Sequence, residues 1–137
     1  GVAGGRSLQA ILLGGAAGVF VTAGDLDMPL TFEGTRAAGA TLGSGVVMVF
    51  DDRVDMGDIL IRIASFFRDE SCGQCVPCRV GTVRQEEALH RLVAARAEGD
   101  RAREVSLIAD LARVMRDASI CGLGQTAASA VESALKK

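Results

Sequence analysis

Cys72-Gly73-Gln74-Cys75-Val76-Pro77-Cys78 places three thiols within seven residues, and the fourth and last cysteine, Cys121, follows after 42 intervening residues. If the four act together, the fold must bring a remote segment back to this short loop. A tight Cys-x2-Cys-x2-Cys loop can wrap three corners of a metal–sulfur cubane but cannot reach the fourth, which a distant segment supplies. Structural zinc is more often gripped by two paired cysteine motifs on separate loops. The three-plus-one spacing of Cys72, Cys75, Cys78 and Cys121 therefore favours a [4Fe–4S] cluster. Structural zinc and a redox-active disulfide remain the alternatives.

The neighbours of these cysteines suit that choice. Gly73, Gly122 and Gly124 would let backbone N–H groups approach the sulfurs, and such donors raise a reduction potential. Pro77 would stiffen the loop between the second and third thiols. Arg79 would either offset the negative charge of the thiolates or lie solvated at the start of a helix.

Charge and hydropathy exclude several other classes. The net charge is −2 and no basic stretch dominates, so nucleic-acid binding, which needs clustered Lys and Arg, is not expected. The longest apolar stretch, from Ala10 to Ala23, is interrupted by Gly14, Gly15 and Gly18 and falls short of the ~20 apolar residues of a membrane span. No basic segment leads into an apolar core at the N-terminus, so no signal peptide is expected. Clustered cysteines without a secretory signal point to a reducing compartment, where they serve as metal ligands more often than as disulfides. The opening Gly1-Val2-Ala3, without Met, is expected of a trimmed chain or a piece of a longer protein.

The pattern changes near Asp51. Before it, Leu8 to Leu13, Val19 to Thr22 and Val46 to Phe50 read as short strands separated by glycine-rich turns, with a short helix near Phe32 to Ala38. Three strands are few for an independent sheet. After Asp51 the spacing predicts four helices. Asp55 caps the first, whose stripe is Met56, Ile59, Leu60, Ile63, Phe66 and Phe67. The second is expected over Thr82 to Ala97, with Leu89, Leu92 and Val93 inward and Gly99 as its stop. The third is expected over Asp100 to Arg116, buried on several sides by Val105, Leu107, Ile108, Leu111, Ala112, Val114 and Met115. The fourth starts near Thr126 with a stripe of small residues, Ala127, Ala130, Val131, Ala134 and Leu135. In an up-and-down bundle the first and third connections share an end, which would gather all four cysteines there.

Other candidate sites are weaker. His90, the sole histidine, is expected on a helix surface. Gly14-Gly15-Ala16-Ala17-Gly18 follows a strand but lacks the G-x-G-x-x-G and P-loop patterns, so it reads as a turn. Asp25, Asp27, Asp51, Asp52 and Asp55 lack EF-hand spacing and read as loop and cap residues. With one histidine and the cysteines committed, no nucleophilic triad can be assembled.

The segment Glu70-Ser71-Cys72-Gly73-Gln74-Cys75-Val76-Pro77-Cys78-Arg79-Val80-Gly81, together with Ser119-Ile120-Cys121-Gly122-Leu123-Gly124-Gln125, closely resembles the NADH-binding flavoprotein subunit of respiratory complex I. The relatives include the diaphorase subunits of NAD-reducing hydrogenases and the beta subunit of NAD-dependent formate dehydrogenase. Gly122 stands where complex I members often carry Pro, a form closer to the hydrogenase and formate dehydrogenase branches. The resemblance covers the whole chain but only the C-terminal portion of the family. It implies an α+β architecture. Residues 1–52 would be the later part of a ubiquitin-like, soluble-ligand-binding β-grasp domain, and residues 53–137 a four-helix iron–sulfur domain.

It further implies that Cys72, Cys75, Cys78 and Cys121 hold a [4Fe–4S] cluster that takes single electrons from FMN reduced by NADH. The FMN and NAD(H) sites would lie on an N-terminal domain outside this chain, so none of its residues is assigned to either, and the chain would not be catalytic alone. The implied partners are that flavin- and NADH-binding domain, a thioredoxin-like [2Fe–2S] subunit and further iron–sulfur subunits, with no direct membrane insertion. The implied location is the cytoplasm, or the cytoplasmic side of a membrane complex. A zinc-stabilised interaction module is the competing reading.

Overall fold

The apolar run Ala10 to Leu13, buried from Ile11 on, makes Leu8–Leu13 the first strand of the fold. The computed structural model describes residues 2–95 and 97–136. Its three strands are β1 (Leu8–Leu13), β2 (Val19–Val21) and β3 (Val47–Asp51), with the short helix α1 (Phe32–Ala37) between β2 and β3. They form one antiparallel sheet in the order β2-β1-β3. Leu12 pairs with Phe20 on one side and Met48 on the other, and Gln9 is the extra residue of a register shift against β3. Gly14-Gly15 is the turn out of β1, as expected.

The helices are α2 (Met56–Glu70), α3 (Val76–Ala94), α4 (Glu98–Ala118), α5 (Gly122–Thr126) and α6 (Ser129–Leu135). The Asp55 carboxylate accepts from the N–H groups of Gly57 and Asp58 and caps α2, satisfying donors the first turn leaves open. Three of the other acidic residues singled out in sequence also have partners. Asp25 accepts from the Thr22 backbone and hydroxyl, Asp51 pairs with Arg53, and Asp52 pairs with Arg6.

Several boundaries differ from the sequence reading. The second helix begins at Val76, inside the cysteine motif, rather than at Thr82. Pro77 lies in its first turn, where a fixed φ and a missing N–H are no penalty. It ends at Ala94, with the Ala95 N–H turned back to the Leu92 carbonyl; Arg96, within the expected span, lies outside the described residues. Gly99 does not stop this helix but lies in the first turn of α4, between Glu98 and Asp100. These acids face the positive end of the helix dipole. The fourth helix is replaced by α5 and α6. Between them the Ala127 carbonyl accepts from Gln85 Nε2 at 3.1 Å, which diverts it from continuing the helical ladder.

The apolar stripes are also narrower than expected. Leu60, Ile63, Phe67, Leu89, Leu92, Ile108, Ala112 and Met115 are buried, whereas Phe66, Val93, Val105, Leu107 and Val114 are exposed. One face of α4 packs on α3, α5 and α6, and Val105, Leu107 and Val114 of α4 are exposed. One core cluster joins the two halves: Leu12, Phe20 and Phe50 from the sheet pack with the helical residues, while Ile11, Leu13 and Val21 form a second cluster. The Phe20 N–H donates to Ser133 Oγ at 2.8 Å, tying β2 to α6.

Candidate metal centre

Four local structures carry the four thiols, and all lie at one end of the helical part. Cys72 sits in the loop after α2. Cys75 is the N-cap of α3, Cys78 is in the first turn of α3, and Cys121 is the N-cap of α5. Gly73 makes the loop possible with φ +75°, a left-handed conformation that side chains with a Cβ resist. The Arg79 guanidinium donates to the Gly73 carbonyl at 3.0 Å and closes the loop onto α3. Arg79 is thus a loop clasp.

The remote segment is held against this loop by close packing. Gly124 is buried, and a Cβ there would lie 2.3 Å from Ser119 Oγ and 2.9 Å from Cys78 Cβ. Gln125 Nε2 donates to the Ser119 carbonyl at 3.0 Å. As a result Cys72, Cys75, Cys78 and Cys121 line one cavity of about 130 Å³, together with Glu70, Ser71, Gln74 and Leu123. Cys78 is buried, Cys75 is half-buried, and Cys72 and Cys121 are exposed.

The thiols sit among hydrogen-bond donors. The backbone N–H of Ile120, then that of Cys78, hold the Cys75 thiol below its ordinary range, against the effect of burial. Cysteines at helix N-termini are shifted in this direction, because the helix end favours the thiolate. Ser71 Oγ lies 3.3 Å from Cys78 Sγ. Ser119 Oγ is buried and has no hydrogen-bond partner among the described residues, an arrangement that costs roughly 1–3 kcal/mol when nothing compensates it.

The four thiols are the donor set that a [4Fe–4S] cluster takes. Among the described residues no three His, Cys, Asp or Glu side chains are gathered so as to hold a single metal ion. The expected roles of the glycines are partly corrected. Gly124 provides a close approach between side chains, Gly73 provides a turn, and a Cβ at Gly122 would meet nothing within 4 Å. His90 is exposed on α3. Sequence reasoning assigned no role to Ser71 or Ser119; the available signal was a hydroxyl within two residues of each cysteine segment.

Residues 58–137 match the NADH-ubiquinone oxidoreductase-F iron–sulfur binding region. The chain is 34% identical over 126 residues to the NADP-reducing hydrogenase subunit HndC of Solidesulfovibrio fructosivorans, covering 89% of this chain and 24% of that subunit. It is also 34% identical over 132 residues to the F 2 subunit of the NADH-quinone oxidoreductase of Rhizobium meliloti, covering 96% of this chain and 31% of that protein. A crystal structure of an NAD+-reducing [NiFe]-hydrogenase in the H2-reduced state superposes with a TM-score of 0.79 at 34% identity, over 96% of this chain and 22% of that one.

Fold and cysteine site together define an iron–sulfur-binding region of NAD-linked oxidoreductases. The chain belongs to the family of the NADH-ubiquinone oxidoreductase-F iron–sulfur binding region. It spans less than a third of the length of the two relatives named. Equal identity to the hydrogenase and quinone oxidoreductase relatives does not separate those branches.

Proposed function

We propose that Cys72, Cys75, Cys78 and Cys121 bind one [4Fe–4S] cluster and that the chain relays single electrons through it. The observation that carries this reading is the shared cavity, in which thiols from two segments far apart in sequence face one space. A bound cluster takes up and releases one electron at a time. The protein's part is to hold four thiolates, supply N–H donors to their sulfurs, and keep one side of the site accessible. Cys78 is buried under α5, while Cys72 and Cys121 are exposed, so an electron partner can approach from their side. Val76 and Ile120, next in sequence to Cys75 and Cys121, are also exposed and offer apolar surface for that contact.

In the complete protein the donor would be FMN reduced by NADH, both bound on a separate domain of the same subunit. The acceptor would be a further iron–sulfur carrier, with a thioredoxin-like [2Fe–2S] subunit among the partners. Residues 1–52 would belong to a β-grasp domain completed by preceding sequence, and residues 53–137 would form the cluster domain, with α5 and α6 together in the place of a fourth helix. The chain would work in the cytoplasm or on the cytoplasmic side of a membrane complex. Among the described residues, no helix is long and apolar enough to cross a membrane.

The test is rapid mixing of the complete, anaerobically prepared subunit with NADH, then freeze-quench EPR. The reduced-cluster signal is expected to rise as the flavin is reoxidised. A flavin that stays reduced beside an oxidised cluster would rule out the relay. Stoichiometric zinc without sulfide would establish the interaction module instead.

A further inference from the structure

We propose that the hydroxyl of Ser71 donates a hydrogen bond to the Cys78 sulfur of the cluster and that the buried Ser119 hydroxyl is a second donor to the cluster's cysteine sulfurs, so that both raise its reduction potential. The inference rests on the cluster reading above and adds two tuning residues to it.

Ser119 is committed to this direction by its surroundings. Its backbone N–H donates to the Met115 carbonyl at 3.1 Å, and its carbonyl accepts from Gln125 Nε2 at 3.0 Å. The hydroxyl is the group left over, buried and without a partner among the described residues. It occupies the space that a Cβ at Gly124 would take, at 2.3 Å. Cys78 borders the same space, its Cβ 2.9 Å from where a Cβ at Gly124 would lie. A thiolate is a stronger acceptor than a thiol, so cluster formation gives the orphaned donor its partner.

Ser71 makes the same approach from the opposite segment. Its Oγ is 3.3 Å from Cys78 Sγ, and the Gly73 N–H donates to that oxygen at 3.4 Å. In the free thiol either atom can be the donor. Once Cys78 is deprotonated and bound to iron, its sulfur can only accept, so the Ser71 O–H is the donor. A lone pair of the Ser71 oxygen taken up by Gly73 helps to aim the hydrogen at sulfur. Hydrogen bonds to ligand sulfur favour the more negatively charged, reduced state, which raises the potential.

The test uses the complete subunit with Ser119→Ala, Ser71→Ala, both together, and Ser71→Thr. Iron and sulfide content is measured first, then the midpoint potential by EPR-monitored redox titration. Each alanine variant is expected to keep its cluster and to titrate at a more negative potential. The double variant should move further than either single variant. Ser71→Thr, which keeps a hydroxyl, should titrate like wild type. Fully loaded alanine variants at the wild-type potential, or above it, would overturn the proposal. Loss of iron from Ser119→Ala alone would make Ser119 structural and overturn its assignment. Wild-type protein without iron and sulfide would instead defeat the underlying cluster reading.

Discussion

Gly81 lies so close to Met115 that a Cβ on it would sit 2.5 Å from Met115 Cγ and 2.6 Å from its sulfur. Gly81 follows Cys78 on α3, and Met115 precedes Ser119 and Cys121 on α4. This contact sets the distance between the two segments that carry the thiols. Met115 is fully buried and has little room to retreat. Overpacking of this kind costs about 1–3 kcal/mol, offset in part by the better helix propensity of Ala, worth about 1 kcal/mol. Gly81→Ala should therefore lower stability by about 1 kcal/mol in a denaturant titration. It should also reduce iron retained per chain. Full stability and full iron content would show that the α3–α4 spacing is not fixed by this pair.

Ser133 joins the sheet to the helices. Its hydroxyl accepts from the Phe20 N–H at 2.8 Å and donates to the Ala130 carbonyl at 2.7 Å. Ser133→Ala leaves the Phe20 N–H without that acceptor, at a cost of about 1–3 kcal/mol. The expected readout is faster amide exchange at Phe20 and a lower unfolding midpoint. Unchanged protection at Phe20 would show that this link contributes nothing.

Glu86 is buried on α3 and accepts from Ser65 Oγ and the Arg68 guanidinium, both on α2. Removing the carboxylate leaves Ser65 Oγ without that acceptor and Arg68 with Asp69 alone. Glu86→Ala should lower the unfolding midpoint by the equivalent of about 1–3 kcal/mol, with an unchanged denaturant slope. A midpoint at the wild-type value contradicts this role.

The pairing of Arg91 on α3 with Glu104 on α4 (2.9 Å) carries a pH signature. The hydrogen bond from Arg91 holds the Glu104 carboxyl below its ordinary range. A carboxyl depressed in the folded state contributes stability above its unfolded pKa and loses it as pH falls through the folded value. Arg91→Met should therefore lower stability at neutral pH, with the difference from wild type shrinking on the acid side. Because Arg91 is exposed, added salt should shrink it too. A difference that stays constant with pH would show that the loss comes from packing alone.

What could be read in the sequence was what local chemistry decides. The Asp55 cap, β1 from Leu8 to Leu13, and the short helix near Phe32 each follow from residues adjacent to one another. The three-plus-one cysteine spacing likewise pointed to one site, and the structure places all four thiols around one cavity. The features not legible depend on neighbours distant in sequence. The break between α5 and α6 comes with a bond from Gln85, 42 residues before Ala127. The exposure of Phe66, Val93 and Val114 reflects which helix faces lack a partner, which periodicity does not encode. Ser119 is an ordinary serine until Gly124 and Cys78 are placed beside it.

The most direct measurement of the central claim is metal and sulfide analysis of the anaerobically prepared protein, alongside four variants in which Cys72, Cys75, Cys78 or Cys121 is replaced by Ser. Wild type is predicted to hold iron and acid-labile sulfide in near-equal amounts, at about four each per chain. Each variant, Cys121→Ser included, should lose iron or give an altered EPR signal on reduction. Zinc in place of iron, or a Cys121→Ser protein with the wild-type cluster content and signal, would contradict the four-thiolate cluster.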